Sequence, residues 1–313
     1  MSFSGEVKEE ISQHISKARH CKIAEIASLF AVCGQVKPCR SGRIIVKFST
    51  ENLTVASKYY ILVKKAFNFS LECKVVSHQF QIYLLEQEDV IIFLKALKMM
   101  DEGGSWIYKN QLVHEMLIQR SCCKRAFLRG MFLASGSITD PKCGYHFEVV
   151  AGSEKRAEEL KRIIKTFDID AKIVERKRNY VVYLKEGSQI VDMLNVMEAH
   201  VALMELENVR ILKEMRNSIN RQVNCETANI KKTVSAATKQ MEDIVYIRDH
   251  VGYGILSDGL AQMARLRLEH TESSLKELGE MLNPPIGKSG VNHRLRKLSE
   301  IADGLRQHKE EKI

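Results

Sequence analysis

Phe127-Leu128-Arg129-Gly130-Met131-Phe132-Leu133-Ala134-Ser135-Gly136-Ser137-Ile138 is an apolar run closed by Ser-Gly. An earlier stretch, Ile26-Ala27-Ser28-Leu29-Phe30-Ala31-Val32-Cys33-Gly34, has the same form. The two glycines stand 136 − 34 = 102 positions apart. Two apolar helices that run into glycine at such a spacing are the mark of a duplicated unit, and the first two hundred residues are read from that duplication.

Working outward, each helix leads into a prolyl turn (Pro38, Pro141) and then a strand, 43–48 in one copy and 145–150 in the other, both rich in β-branched and aromatic residues. Helices follow at 52–67 and 153–167, where Leu160, Ile163, Ile164 and Phe167 recur at helical spacing. Two strands come next, 71–77 with 80–85 and 171–176 with 180–184, and a helix closes each copy from Val90 and from Ile190. Small residues on the first helices (Ala27, Ser28, Ala31; Gly130, Ala134) let the two halves approach about a pseudo-twofold axis. The facing strands then form a saddle, to which Arg40, Arg43, Lys47, Lys58, Lys64 and Lys65 add positive charge.

Hydrophobic residues at 45%, charged residues at 28% and only 4 prolines describe a folded globular chain. No window approaches the roughly 18 apolar residues that a membrane helix needs, and the acidic start (Glu6, Glu9, Glu10) has no apolar signal core. A cytoplasmic, nucleoid-associated protein is expected. The eight cysteines (Cys21, Cys33, Cys39, Cys73, Cys122, Cys123, Cys143, Cys225) form no CxxC pair and no zinc-finger spacing, so reduced thiols are expected, with no metal and no cofactor. Cys122 and Cys123 precede Lys124 and Arg125, neighbours that would lower a thiol pKa, but no partner histidine is legible in the sequence.

The net charge of +9 calls for an anionic partner, and its distribution says which. Residues 208–240 hold seven Lys/Arg against two Glu, and residues 284–299 hold four basic residues and no acid. After about residue 250 the pattern is helical. Ser257-Asp258 is read as the start of a helix to His270, and Ser274-Leu275-Lys276-Glu277 is a capping box opening a second helix to about Leu282. Asn283-Pro284-Pro285-Ile286-Gly287-Lys288 is a turn, and Ser289 is read as the cap of a third helix whose core face is Val291, Leu295, Leu298, Ala302 and Leu305. Its other face carries Ser289, Asn292, His293, Arg296 and Lys297, with Lys288 and Arg294 at the flanks, the residue types that read base edges and hold phosphates.

The 127–138 stretch resembles the LAGLIDADG homing-endonuclease motif, with 26–34 a weaker copy. Together with Ser2-Phe3-Ser4-Gly5-Glu6-Val7-Lys8-Glu9-Glu10, Asn220-Arg221-Gln222-Val223-Asn224-Cys225-Glu226-Thr227-Ala228-Asn229-Ile230-Lys231-Lys232-Thr233 and Asn283-Pro284-Pro285-Ile286-Gly287-Lys288-Ser289-Gly290-Val291-Asn292-His293-Arg294, it is similar to the WhiA family over almost the whole chain. The resemblance implies a bacterial regulator of sporulation, cell division and chromosome segregation. It also implies that the acid before each motif's final glycine, a metal ligand in the nucleases, is here lost to Cys33 and Ser135. A thiol and a hydroxyl do not supply the hard anionic oxygens that Mg²⁺ needs, so no catalytic residue is expected; Asp140 is read as a turn residue.

The expected fold is therefore an α+β LAGLIDADG-like double domain of two pseudo-symmetric halves, followed by an all-α helix-turn-helix domain. The expected division is 1–100, 101–200, a basic helical connector 201–250, and the helix-turn-helix 251–313. The expected function is sequence-specific binding of double-stranded DNA for transcriptional regulation, without enzymatic activity. The DNA-binding residues are Ser274, Lys276, Lys288, Ser289, Asn292, His293, Arg294, Arg296 and Lys297, and a second set is Arg221, Asn224, Asn229, Lys231 and Lys232. Two alternatives stand beside it. One is a LAGLIDADG-type endonuclease with unusual metal ligands; the other is an architectural protein that contacts DNA unspecifically and binds another regulatory protein.

Overall fold

The computed structural model describes residues 2–38, 43–101, 103–105 and 111–310, with side chains described to 307. The chain divides into two compact units, Met1–Glu214 and Met215–Ile313. Arg40 and Cys39 lie outside the described residues.

The first unit opens with a helix that the sequence reading left unassigned, α1 (Phe3–Gln13), capped by Ser2 and burying Phe3, Val7 and Ile11 along one stripe. The first half then runs α2 (Arg19–Cys33), β1 (Gly34–Pro38), β2 (Ile44–Thr50), α3 (Leu53–Phe67), β3 (Glu72–Val76), β4 (Gln79–Leu84) and α4 (Gln87–Ala96). The second half repeats it as α5 (Ser121–Ser135), β5 (Gly136–Ile138), β6 (Phe147–Ala151), α6 (Glu154–Lys165), β7 (Lys172–Arg176), β8 (Asn179–Leu184) and α7 (Gly187–Met197). Each half carries one antiparallel sheet, ordered β1-β2-β4-β3 and β5-β6-β8-β7. Side-chain caps set the starts of α3 and α6: Asn52 Oδ1 accepts from the Val55 N–H, and Ser153 Oγ from the Arg156 N–H.

One correction concerns the residues after each motif glycine. They are the strands β1 and β5 and not merely a prolyl turn, because pairing supplies what propensity lacks. Gly34 lies opposite Phe48 and Gly136 opposite Val149. Pro38, which cannot donate to a ladder, sits on the edge strand, where none is needed on its outer side.

At the centre, α2 and α5 pack so closely that a Cβ on Gly130 would lie 1.9 Å from Ser28 Oγ and 2.8 Å from the Glu25 carbonyl oxygen. Only glycine fits there. Around this contact both halves share one apolar core, in which Phe48 stacks on Tyr59 and Phe132 on Phe147. A second correction falls on Lys58: it is buried, not part of a basic saddle. Its ammonium donates to the Ile11 and His14 carbonyls and pairs with Glu25 at 3.2 Å.

The helix α8 (His200–His250) starts in the first unit, where Glu10 accepts the N–H groups of Val201 and Ala202 at its first turn. In the second unit its last turns supply Ile244 and Ile247 to a core completed by α9 (Asp258–Glu269), α10 (Leu275–Glu280) and α11 (Lys288–Glu310). Val291, Leu295, Leu298 and Ala302 are buried there. Ser289 does not cap α11: the Val291 N–H already bonds to the Gly287 carbonyl, so the helix begins two residues earlier, at Lys288, and Ser289 lies in its first turn. Among the described residues, no helix is long and apolar enough to cross a membrane.

Candidate nucleic-acid interface

The capping box read from the sequence is formed. Ser274 Oγ accepts from the Glu277 N–H at 3.3 Å, and the Ser274 N–H donates to Glu277 Oε2 at 2.7 Å. The carboxyl of Glu277 is held below its usual range by that backbone bond and the hydroxyl beside it. The turn after α10 returns tightly, with the Ile286 N–H on the Gly279 carbonyl at 3.0 Å. A Cβ at Gly279 would fall 2.2 Å from the Ile286 carbonyl oxygen, so glycine is required for α11 to follow at this angle.

On α11, successive residues turn by about 100°. The buried Val291, Leu295, Leu298 and Ala302 share one side, while Lys288, Asn292, Arg296, Ser289, His293 and Lys297 fan across the opposite half-turn and are all exposed. Three of these lie in the first turn or just after it, where the helix dipole favours phosphate. Arg296 Nε rests on Glu300 Oε1 at 3.0 Å, and Lys276 of α10 on Glu280 at 3.8 Å, both solvent-facing pairs that a phosphate or base edge can displace. Arg294 stands apart from the group: half-buried, it donates from Nη1 to the Gly259 carbonyl at 3.3 Å and fastens α11 to α9.

Arg221, Asn224, Asn229, Lys231 and Lys232 are exposed on α8. At helical spacing they occupy one side, and Ile219, Val223, Ile230 and Val234 occupy the other, also exposed. Arg221 donates to the Asn217 carbonyl, and the Asn229 carbonyl accepts from Thr233, bonds internal to the helix that leave Lys231 and Lys232 projecting.

In the double domain, Cys33 and Ser135 end α2 and α5, as the two motifs require. The Ser135 hydroxyl is committed to backbone, 2.9 Å from the Val150 carbonyl and 3.3 Å from that of Met131. Burial pushes the Cys33 thiol up to about 11, against the opposing charge of Lys8, so it stands protonated at neutral pH. Lys8, a residue the sequence reading passed over, reaches the same end of the helix pair from α1 and lies over the Phe132 ring at 5.9 Å. A neutral thiol, a satisfied hydroxyl and an ammonium group offer a divalent cation nothing. Asp140 serves a turn, its carboxylate accepting the Lys142 N–H at 2.8 Å.

The open face of the first sheet is crossed by a row of residues in register, Gln35, Lys47, Tyr83 and Glu72; the second has Ser137, Glu148, Tyr183 and Lys172. Glu72 pairs with Lys74 at 3.2 Å, Lys47 and Lys74 both lie over the Tyr83 ring, and Glu148 is bonded to His146 at 3.0 Å and to Arg176 at 3.1 Å. The saddle is of mixed charge and not uniformly basic. Lys64 and Lys65 close α3 and do not belong to the strands. The lowered thiol pKa expected beside Lys124 is also corrected: burial, with Cys122 adjoining, raises Cys123.

Three family models match the chain: the WhiA N-terminal LAGLIDADG-like domain over residues 19–82, the WhiA LAGLIDADG-like domain over 124–216, and the WhiA C-terminal HTH domain over 219–302. The chain is similar to the probable cell division protein WhiA of Lachnoclostridium phytofermentans, with 54% identity over 98% of this chain and 100% of that protein. The corresponding protein of Alkaliphilus oremlandii is 47% identical over 99% of each. Among solved structures, full-length WhiA from Thermatoga maritima superposes with a TM-score of 0.60 over 97% of this chain and 98% of that one; at 24% identity the likeness speaks for the fold.

Proposed function

The chain belongs to the WhiA family, and from that premise we propose that it is a sequence-specific DNA-binding transcriptional regulator acting in cell division, chromosome segregation or sporulation, without enzymatic activity. The observation that carries this is α11. A helix reached through a tight turn presents Lys288, Ser289, Asn292, His293, Arg296 and Lys297 on one exposed face, with its apolar face anchored in a core. Such a helix fits a major groove, with Asn292 and Arg296 toward base edges and Lys288, Ser289 and Lys297 toward phosphates. Ser274 and Lys276, at the start of α10, approach the adjoining backbone.

The division of labour follows. Residues 1–100 and 101–200 form the paired halves; 201–250 is the basic helix, with Arg221, Asn224, Asn229, Lys231 and Lys232 as a second set of phosphate contacts; 251–313 is the reader, into whose core the last turns of α8 are built. The neutral Cys33 and Ser135 favour a regulator over a nuclease. The relatives' names place them in cell division, and the same process is proposed for this chain. Genome-wide crosslinking tests it: a regulator gives discrete promoter peaks beside genes whose transcripts change on depletion. Occupancy that simply follows DNA content would replace this reading with an architectural one.

A further inference from the structure

Two pairs of residues separated by the repeat interval come together at the N-terminal ends of α2 and α5. His20 and Cys122 are counterparts (122 − 20 = 102), as are Cys21 and Cys123 (123 − 21 = 102). His20 and Cys21 are the second and third residues of α2, and Cys122 and Cys123 those of α5, after the caps Ala18 and Arg120. The close crossing of the two helices brings all four ligand atoms within 4.8 Å of one another. His20 Nδ1 lies 3.2 Å from Cys123 Sγ and 3.3 Å from Cys21 Sγ. Cys21 and Cys123 are buried against Ala24 and Ala126, while His20 and Cys122 face solvent.

We propose that His20, Cys21, Cys122 and Cys123 form a binding site for a thiophilic divalent cation, zinc by chemical preference, which clips the two halves together. Tetrahedral zinc, with bonds of about 2.3 Å to sulfur and 2.0–2.1 Å to nitrogen, separates its ligands by about 3.5–3.8 Å, which these four atoms reach with side-chain adjustments alone. The set of three sulfurs and one imidazole is that of closed, structural zinc sites. Binding releases the three thiol protons to solvent and leaves a centre of charge +2 − 3 = −1. Two helix N-termini converge on that charge, and Arg120 stands beside it. Ligation through Nδ1 puts the imidazole proton on Nε2, so the 3.4 Å contact of Arg120 Nη1 with Nε2 opens and the guanidinium turns toward the thiolates. The exposed pair provides the entry path, and the buried pair fixes the geometry.

The test uses the full-length chain, reduced and stripped with chelator, then titrated with Co²⁺ and back-titrated with Zn²⁺. One equivalent of Co²⁺ per chain should give the sulfur-to-cobalt charge-transfer band and the intense visible bands of a tetrahedral site, both erased by Zn²⁺. Cys122→Ser, at an exposed position and with circular dichroism as the folding control, should bind more weakly and lower the charge-transfer intensity, which follows the number of cobalt–sulfur bonds. His20→Ala should weaken binding, whereas Cys143→Ser should change neither. Zn²⁺ should raise the melting temperature of the parent chain and not that of Cys122→Ser. No saturable band, or a band of undiminished intensity and affinity in Cys122→Ser, overturns the proposal. So does a disulfide among Cys21, Cys122 and Cys123 forming in air with no metal taken up by the reduced chain.

Discussion

Arg129 and Glu25, on the central helices of opposite halves, meet inside the core, Nε 3.2 Å from Oε1, with neither side chain more than 1% exposed. The same guanidinium donates to Ser16 Oγ at 3.1 Å, to the Met197 carbonyl at 3.3 Å and to Glu198 Oε2 at 2.5 Å. Lys58 takes Glu25 from its own half. Both cations rest on Oε1 of Glu25, while its Oε2 is buried without a hydrogen-bond partner, so the carboxylate depends on these two ion pairs.

Arg129→Met should destabilise the first unit by roughly 3–5 kcal/mol, because the Glu25 carboxylate keeps its burial and loses a partner. The change is read as a lower urea midpoint for the full chain. Adding Glu25→Gln should cost less than the sum of the single changes. A loss under about 1 kcal/mol for Arg129→Met, the worth of an ordinary hydrogen bond, would mean that the network is incidental.

His14 makes the same network sensitive to acid. Burial holds its imidazole below the usual 6.5; Arg129 and Lys58 add to the effect, while Glu198, 3.0 Å away, and Glu25 oppose it without prevailing. Since the unfolded chain takes up this proton more readily, stability is full above 6.5 and falls as pH drops through 6.5 toward the folded value. Melting temperatures between about pH 7.5 and 5.5 should show the fall, and His14→Asn should flatten it. An unchanged slope in the variant would assign the effect to other groups.

Duplex DNA incubated with the purified chain and Mg²⁺ or Mn²⁺ should remain intact. Cleavage that copurifies with the chain and stops with EDTA would restore the nuclease alternative. Cys33→Asp combined with Ser135→Asp need not revive cutting, because Lys8 lies at the same end of the helix pair.

Arg296→Ala should weaken the cognate site by roughly 1–3 kcal/mol and flatten preference at one base position, leaving nonspecific DNA nearly unaffected. Lys288→Ala should weaken all sequences alike and lower the salt slope by about one. Titrations at several salt concentrations separate the two. If both variants bind as the parent does while Lys231→Ala abolishes binding, α8 is the reader.

Ser274→Ala removes the hydroxyl that caps α10 and should cost about 1 kcal/mol in the second unit, seen as a lower midpoint in urea. Its partner Glu277 has a depressed folded pKa, so that part of the stability is present above the unfolded value and is lost as pH falls through the folded one. An unaltered midpoint would mean that α10 is held by Leu278 packing alone.

The duplication was legible because apolar periodicity and the closing glycines survive in both halves, and α3, α6 and the capping box of α10 carry their caps in sequence. What was not legible depended on partners far along the chain. Gly136-Ser137-Ile138 is a strand only because β6 lies beside it. Lys58 reads as surface charge until Glu25 is known to lie within reach. Arg294 looks like a groove contact until α9 is in place behind it. His20 and Cys122 have no meaning to a search for short ligand spacings, since the crossing of α2 and α5, and not the spacing, joins them.

The pair of Arg129 and Glu25 also departs from the twofold that relates α2 and α5. At the repeat interval Glu25 corresponds to Phe127, and Arg129 to Ala27. A first half docked onto another first half would set each Glu25 carboxylate against an alanine, and two second halves would bury each guanidinium against a phenylalanine. Either mismatch strands buried charge, at several kcal/mol. The charge pattern therefore distinguishes unlike halves from like ones, and disfavours the pairing of two first halves or of two second halves.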